Sequence, residues 1–140
     1  MRLWDYRILD VLPKKQLVSE WRECVAIKRQ WEKGTLKHPL VSYVMDYDKG
    51  YFLGYVIDLL KVFHIRGIKY DNKLLDEIIN FCMHGEVDCM KINYPEHNDR
   101  YLRQCLYNLE EKAIRGIISE KEWSKIYKKF NQFTELWDGE

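Results

Sequence analysis

The sequence holds only three prolines and seven glycines in 140 residues, and no Ser/Gly-rich run interrupts it, so nothing in it reads as a flexible linker. Its longest apolar stretch, around Val56 to Leu60, is broken by Asp58 and falls far short of the roughly 20 residues that a bilayer span requires. The opening Met-Arg-Leu-Trp-Asp lacks the apolar core of a secretory leader. Four cysteines (Cys24, Cys82, Cys89, Cys105) are scattered without a CxxC pair, as expected of buried thiols in a reducing compartment. Cys82-x-His84 followed by Cys89 can be drawn as a metal site, but structural zinc takes four ligands in two tight pairs, so the buried-thiol reading is preferred. No GxGxxG, phosphate loop, GxSxG or HExxH pattern occurs. The expectation is a soluble intracellular protein without a disulfide framework, metal or organic cofactor.

At 46% hydrophobic and 32% charged, a chain of this length buries about two-thirds of its unfolded surface and can fold as one domain. Leu17, Trp21, Cys24 or Val25, and Ile27 or Trp31 recur at three- and four-residue steps, which predicts a helix from Pro13 to Trp31 that Gly34 ends. A second helix is expected from about Tyr51 to Ile65, with Gly67 as its C-terminal cap. A third follows Asp71 through Leu74, Ile78 and Cys82, to be closed by Gly85. Val41 to Met45 is too short for periodicity to decide between helix and extended chain. In the last third, a helix from about Asp99 to Arg115 stops at Gly116, and Ser119 with Glu122 forms a capping box that opens another. So short a link predicts a helical hairpin over about 99–131. The fold class is all-α: a compact single-domain helical bundle over 1–140, without the sustained heptads of a coiled coil.

The net charge is only +1, but it is uneven: residues 1–40 hold nine Lys/Arg against five acids, residues 41–100 hold seven against ten, and the rest balances at seven each. A basic first third attracts phosphates locally, although a solvated helix face is the commoner origin of such an excess. The tryptophans Trp4, Trp21, Trp31 and Trp123 read as packing rather than base-stacking platforms. His64, His84 and His97 have no partner pattern. One feature of the first helix stands apart, the dipeptide Arg22-Glu23 within Gln16 to Cys24. Taken alone, an Arg-Glu pair on a helix is ordinarily a surface feature.

Leu12-Pro13, Gln16-Leu17 and Glu20-Trp21-Arg22-Glu23 resemble the N-terminal helix of the pyrimidine-dimer DNA glycosylases of the phage endonuclease type. Met1-Arg2-Leu3-Trp4 is similar to the start of a bacterial branch of that family. The branch continues with an Arg-Glu pair, a basic Gly-containing loop ending in His, and a Val-Asn-Tyr-Val-Phe-like run. Here stand Arg22-Glu23, a loop ending in Lys37-His38, and Val41-Ser42-Tyr43-Val44-Met45. Arg66-Gly67-Ile68 resembles the family's Arg-Gly-aromatic close. The resemblance covers residues 1 to about 68. Beyond it only Leu109 to Ala113, with Trp123, Lys125 and Tyr127, are similar to the phage enzyme.

The resemblance implies a DNA repair glycosylase with abasic-site lyase activity, acting as a monomer on double-stranded DNA that carries a damaged pyrimidine or an abasic site. It also implies a cytoplasmic setting, bacterial and nucleoid-associated or viral. The catalytic residues it implies are Met1, whose α-amine attacks the sugar C1′ and forms an imine, and Glu23, which assists that step and removes a C2′ proton. An ordinary α-amine has a pKa of about 7.7 to 8.0 against about 10.4 for lysine, so near neutral pH about a tenth or more is unprotonated. Both groups must address one sugar, so the amine is expected within about 6 Å of a Glu23 oxygen. The implied DNA contacts are Arg2, Arg22, Lys28, Arg29, Lys37 and His38, with Lys112 and Lys125 from the C-terminal hairpin, all on one face.

Four positions depart from the family pattern. Arg2 stands where the phage enzyme has a small residue that supplies the amine, Gln16 and Ala26 stand near positions that carry His or Arg, and Asp5 replaces the branch's His. Asp5 is expected to add negative charge near the phosphate path. The alternative reading is a catalytically altered or inactive member of the fold that binds nucleic acid or a protein through its basic N-terminal face.

Overall fold

The computed structural model describes residues 1–83 and 93–131. Among them are five α-helices, two short 3-10 segments and no strand. Gly85, His84 and Cys89 of the sequence reading lie outside the described residues.

After an extended start, a 3-10 turn at Leu9–Val11 leads into α1 (Lys14–Lys33). Pro13 sits at its N-cap position and Gly34 closes it in the left-handed conformation, at φ 73°, where only a residue without Cβ is unstrained. The undecided run near Val41 forms a 3-10 segment, Ser42–Asp46, too short to pay back α-helix nucleation. Helix α2 (Lys49–Arg66) opens on Asp48, whose side chain accepts from the Gly50 amide. Helix α3 (Asn72–Met83) follows. Helices α4 (Asp99–Ile114) and α5 (Glu120–Phe130) pack together. Ser119 and Glu122 make the reciprocal capping box: the Glu122 amide donates to Ser119 Oγ at 3.1 Å and the Ser119 amide to Glu122 Oε1 at 2.9 Å.

Helices α1, α2 and α3 pack on one another. Helix α2 is the central element, burying Phe52, Leu53, Val56, Leu59, Leu60 and Phe63. Trp21 is buried against Tyr70, and Trp31 meets Phe52 and Phe81 edge-on, so these rings are packing elements. Cys24, Cys82 and Cys105 are buried free thiols. No group of residues among those described could hold a metal ion. No helix among them is long and apolar enough to cross a membrane.

The chain start belongs to this core. Leu3 is fully buried and Trp4 nearly so. Basic side chains from distant elements tie the following turn down: Arg66 of α2 donates to the Leu12 and Asp10 carbonyls, and Lys129 of α5 to the Arg7 carbonyl and the Asp10 carboxylate. The N-terminal segment is therefore held from several directions.

Candidate active site

A buried extended segment without a strand partner must satisfy its backbone polar groups elsewhere. Here side chains supply the bonds. The Arg2 amide donates to Glu23 Oε2 at 3.3 Å and the Trp4 amide to Glu20 Oε2 at 2.8 Å. The Trp4 carbonyl accepts from the Tyr55 hydroxyl at 2.7 Å, and the Leu3 carbonyl from Tyr101. Helix α1 thus offers two carboxyl groups three residues apart, on one face, as acceptors for the first residues of the chain. One residue's backbone, at most about 3.7 Å from N to N, separates the Met1 amine from the Arg2 amide. With the 3.3 Å bond, this bounds the amine to within about 7 Å of Glu23 Oε2.

Burial divides the two carboxyl groups. Glu20 is fully buried, whereas Glu23 is only partly so. Burial, with Glu23 beside it, pushes the Glu20 carboxyl well above the usual range, against the opposing bonds from Tyr55 and the Trp4 amide. Burial likewise raises the Tyr55 phenol and the Cys24 thiol. Neither is an accessible nucleophile. Arg2 lies with its guanidinium 5.8 Å from the Tyr101 ring centroid, over a phenol raised chiefly by burial.

Asp5, the position expected to add negative charge near the phosphate path, is enclosed by the fold. It is fully buried and forms a two-pronged pair with Arg7, whose Nε and a terminal nitrogen reach its two oxygens at 3.0 Å each. Arg7 also reaches Asp99 at 2.8 Å and the His97 carbonyl, joining the chain start to the beginning of α4. The Asp5 pair holds the guanidinium firmly charged.

His97, which had no partner pattern in the sequence, is 5% exposed, stacks on Tyr101 and sits 2.6 Å from the Tyr43 hydroxyl. Burial lowers its pKa to about 4, with Asp5 opposing and Arg7 assisting. The folded protein holds a neutral imidazole while the unfolded chain takes up a proton below about 6.5. Stability contributed by the neutral ring is therefore complete above pH 6.5 and lost as pH falls towards 4. The difference integrates to about 3 kcal/mol over that window. Urea unfolding across it should show the loss in the native protein and a correspondingly smaller one in His97→Gln, which accepts from Tyr43 without titrating.

The expected DNA contacts occupy several surroundings. Arg22 is exposed and borders two clefts. One, of about 430 Å³, lies between α1 and α3, lined by Trp21, Arg29 and Leu74. The other, of about 560 Å³, is shared with Lys14, Lys15 and Ile117. Arg29 is exposed and lies 3.9 Å from Glu77. Lys28 is only 7% exposed and pairs with Glu32 at 2.9 Å, facing a different cleft with Lys49 and Phe81. Lys37 and Lys125 are exposed, and His38 Nδ1 accepts from the Leu40 amide, shaping the loop. Lys112 borders a hollow of about 190 Å³ with Arg115. The sequence reading missed Glu20 as a buried group, the Tyr55 and Tyr101 anchors, and the Asp5–Arg7 pair. Only the Asp-x-Arg spacing was a local signal for any of them.

An all-helical protein whose first residues are held against two glutamates of a basic, arginine-bearing helix fits the class of DNA glycosylases. The chain belongs to the pyrimidine dimer DNA glycosylase family: residues 1–76, more than half of it, match that family's model. No curated protein and no solved structure matches the chain.

Proposed function

We propose that the protein excises damaged pyrimidines from duplex DNA and cleaves the abasic site left behind, using the α-amine of Met1 as nucleophile and Glu23 as acid/base. The observation that carries this reading is the bond from the Arg2 amide to Glu23 Oε2, in a chain of glycosylase family. The unprotonated amine attacks C1′, the C1′–N bond breaks and the base leaves with a proton. Opening of the sugar ring gives an imine between Met1 and C1′. The Glu23 carboxylate then takes a C2′ proton and the C3′–O bond breaks, releasing the downstream strand with a 5′-phosphate end, and water hydrolyses the remaining unsaturated imine to free the protein. A lesion favours the reaction because a distorted pair costs less to open than an intact one.

The test is borohydride reduction on duplex DNA containing an abasic site, with the adduct mapped by mass. Reaction at Met1, abolished when the α-amine is acetylated, is the expected result. An adduct on an internal lysine would reject Met1 while sparing the lyase reading, and no adduct at all would favour a member of the fold that only binds.

Arg22, Arg29, Arg2, Lys37, His38, Lys112 and Lys125 supply the phosphate contacts in this reading, with Lys28 added once Glu32 releases it. Each contact that neutralises a phosphate contributes about −0.9 to the slope of log affinity against log salt. Arg22→Ala should therefore weaken binding to all duplexes alike and make the slope shallower by about one, as measured by fluorescence anisotropy from low to physiological salt.

A further inference from the structure

We propose that Glu20 is a positioning residue for Glu23: a carboxylic acid in its protonated form that donates a hydrogen bond from Oε1 to the Glu23 carboxylate and holds it towards the chain's first residue. The inference rests on the reading of Glu23 as the acid/base.

The hydrogen bonding of Glu20 motivates it. Glu20 Oε2 accepts twice, from the Trp4 amide at 2.8 Å and from the Tyr55 hydroxyl at 2.5 Å. Glu20 Oε1 is buried and receives no hydrogen bond, while Glu23 lies three residues on along the same face of α1, both side chains turned to the chain start, and its carboxyl raises that of Glu20. Two ionised carboxylates offer one another only acceptors and repel, most strongly where water is excluded. A single proton on Oε1 supplies the missing donor and turns repulsion into a charge-assisted bond. Burial decides which carboxyl keeps it. Glu20 is fully buried, whereas Glu23 is partly exposed and already receives the Arg2 amide, so the charge resides on Glu23. The other titratable groups facing Glu20 are Cys24 of α1, Tyr55 of α2 and Tyr43 of the second 3-10 segment. All are pushed upwards by burial and stay neutral. The proton on Glu20 thus leaves Glu23 as the charged member of the group, accepting from Glu20 as well as from the Arg2 amide.

Glu20→Gln and Glu20→Leu test this. The Gln carbonyl accepts from the Trp4 amide and Tyr55, and its NH₂ donates to Glu23 as the acid does, so Glu20→Gln should cleave abasic DNA at close to the native rate. Glu20→Leu removes the donor. Its kcat should fall by about 10- to 100-fold through misorientation of Glu23, with DNA affinity unchanged. The acid limb of its kcat–pH profile should move to higher pH, because Glu23 loses a donor to its charged form. A purely structural Glu20 would leave that limb in place. If Glu20→Leu does not fold, infrared difference spectra decide the matter independently of activity. A protonated-carboxyl stretch should be present in the native protein at neutral pH, persist in Glu23→Gln and vanish in Glu20→Gln. A cleaving native protein without that band, or a Glu20→Gln variant as impaired as Glu20→Leu, overturns the proposal. The band without cleavage would instead sink the catalytic reading and leave the carboxyl pair standing.

Discussion

Glu23→Gln should abolish strand cleavage while leaving DNA binding intact, a loss of about 10²- to 10⁴-fold, the usual worth of a positioned general base. An amide cannot accept the C2′ proton, yet it keeps the size of the side chain and an oxygen that accepts from the Arg2 amide, now at 3.3 Å from Glu23. The chain start should stay in place, and borohydride should still trap whatever imine forms. Single-turnover cleavage of a duplex with one abasic site, set beside a binding isotherm on the same duplex, separates these effects. Cleavage at the native rate would remove Glu23 from the chemistry. A parallel loss of binding would make it a docking residue instead.

Arg7→Met should be the most damaging single change to the fold away from the apolar core. It strands the Asp5 carboxylate, fully buried, without its two-pronged partner. Breaking one side of a buried pair costs about 3 to 5 kcal/mol, because the remaining charge is left without compensation. The same guanidinium reaches Asp99 and the His97 carbonyl, so one of the attachments of α4 to the chain start is lost too, leaving the Tyr101 bond to the Leu3 carbonyl. The urea midpoint should drop by more than about 1 M. Asp5→Asn combined with Arg7→Met should recover much of the loss, since a neutral amide carries no stranded charge. An Arg7→Met midpoint within error of the native one would show that Asp5 is hydrated or neutralised by another group. Because the pair anchors the residues that follow Trp4, cleavage by the variant should fall along with stability.

Family membership and the role proposed for Glu23 were legible in residues 1 to 68 because the motif residues cluster on one helix and its approach: Leu12-Pro13, then Glu20 to Glu23. How those two glutamates differ was not legible. Each is an acid three positions from the other, and an acid on a helix reads as solvated. The difference comes from Trp4, 16 residues away, and Tyr55, 35 residues away, which close over Glu20 and leave Glu23 at the edge. Lys28 shows the same limit, since a lysine counted among exposed phosphate contacts is 7% exposed under Phe81 and paired with Glu32.

By itself the sequence determined the helices and, Gly85 aside, the glycines and caps that bound them: three- and four-residue apolar steps, left-handed glycines at Gly34, Gly67 and Gly116, and the Ser119–Glu122 box. These depend on interactions within one or two turns, so neighbouring residues suffice to specify them. The tertiary structure alone decided which charges are buried and with whom. Desolvation depends on what distant segments bring over a group, and Tyr101 meeting Leu3 across 98 residues, or Tyr43 meeting His97 across 54, leaves no trace in local periodicity. A carboxyl such as that of Glu20 or an imidazole such as that of His97 acquires its protonation state from that enclosure rather than from its neighbours in the chain.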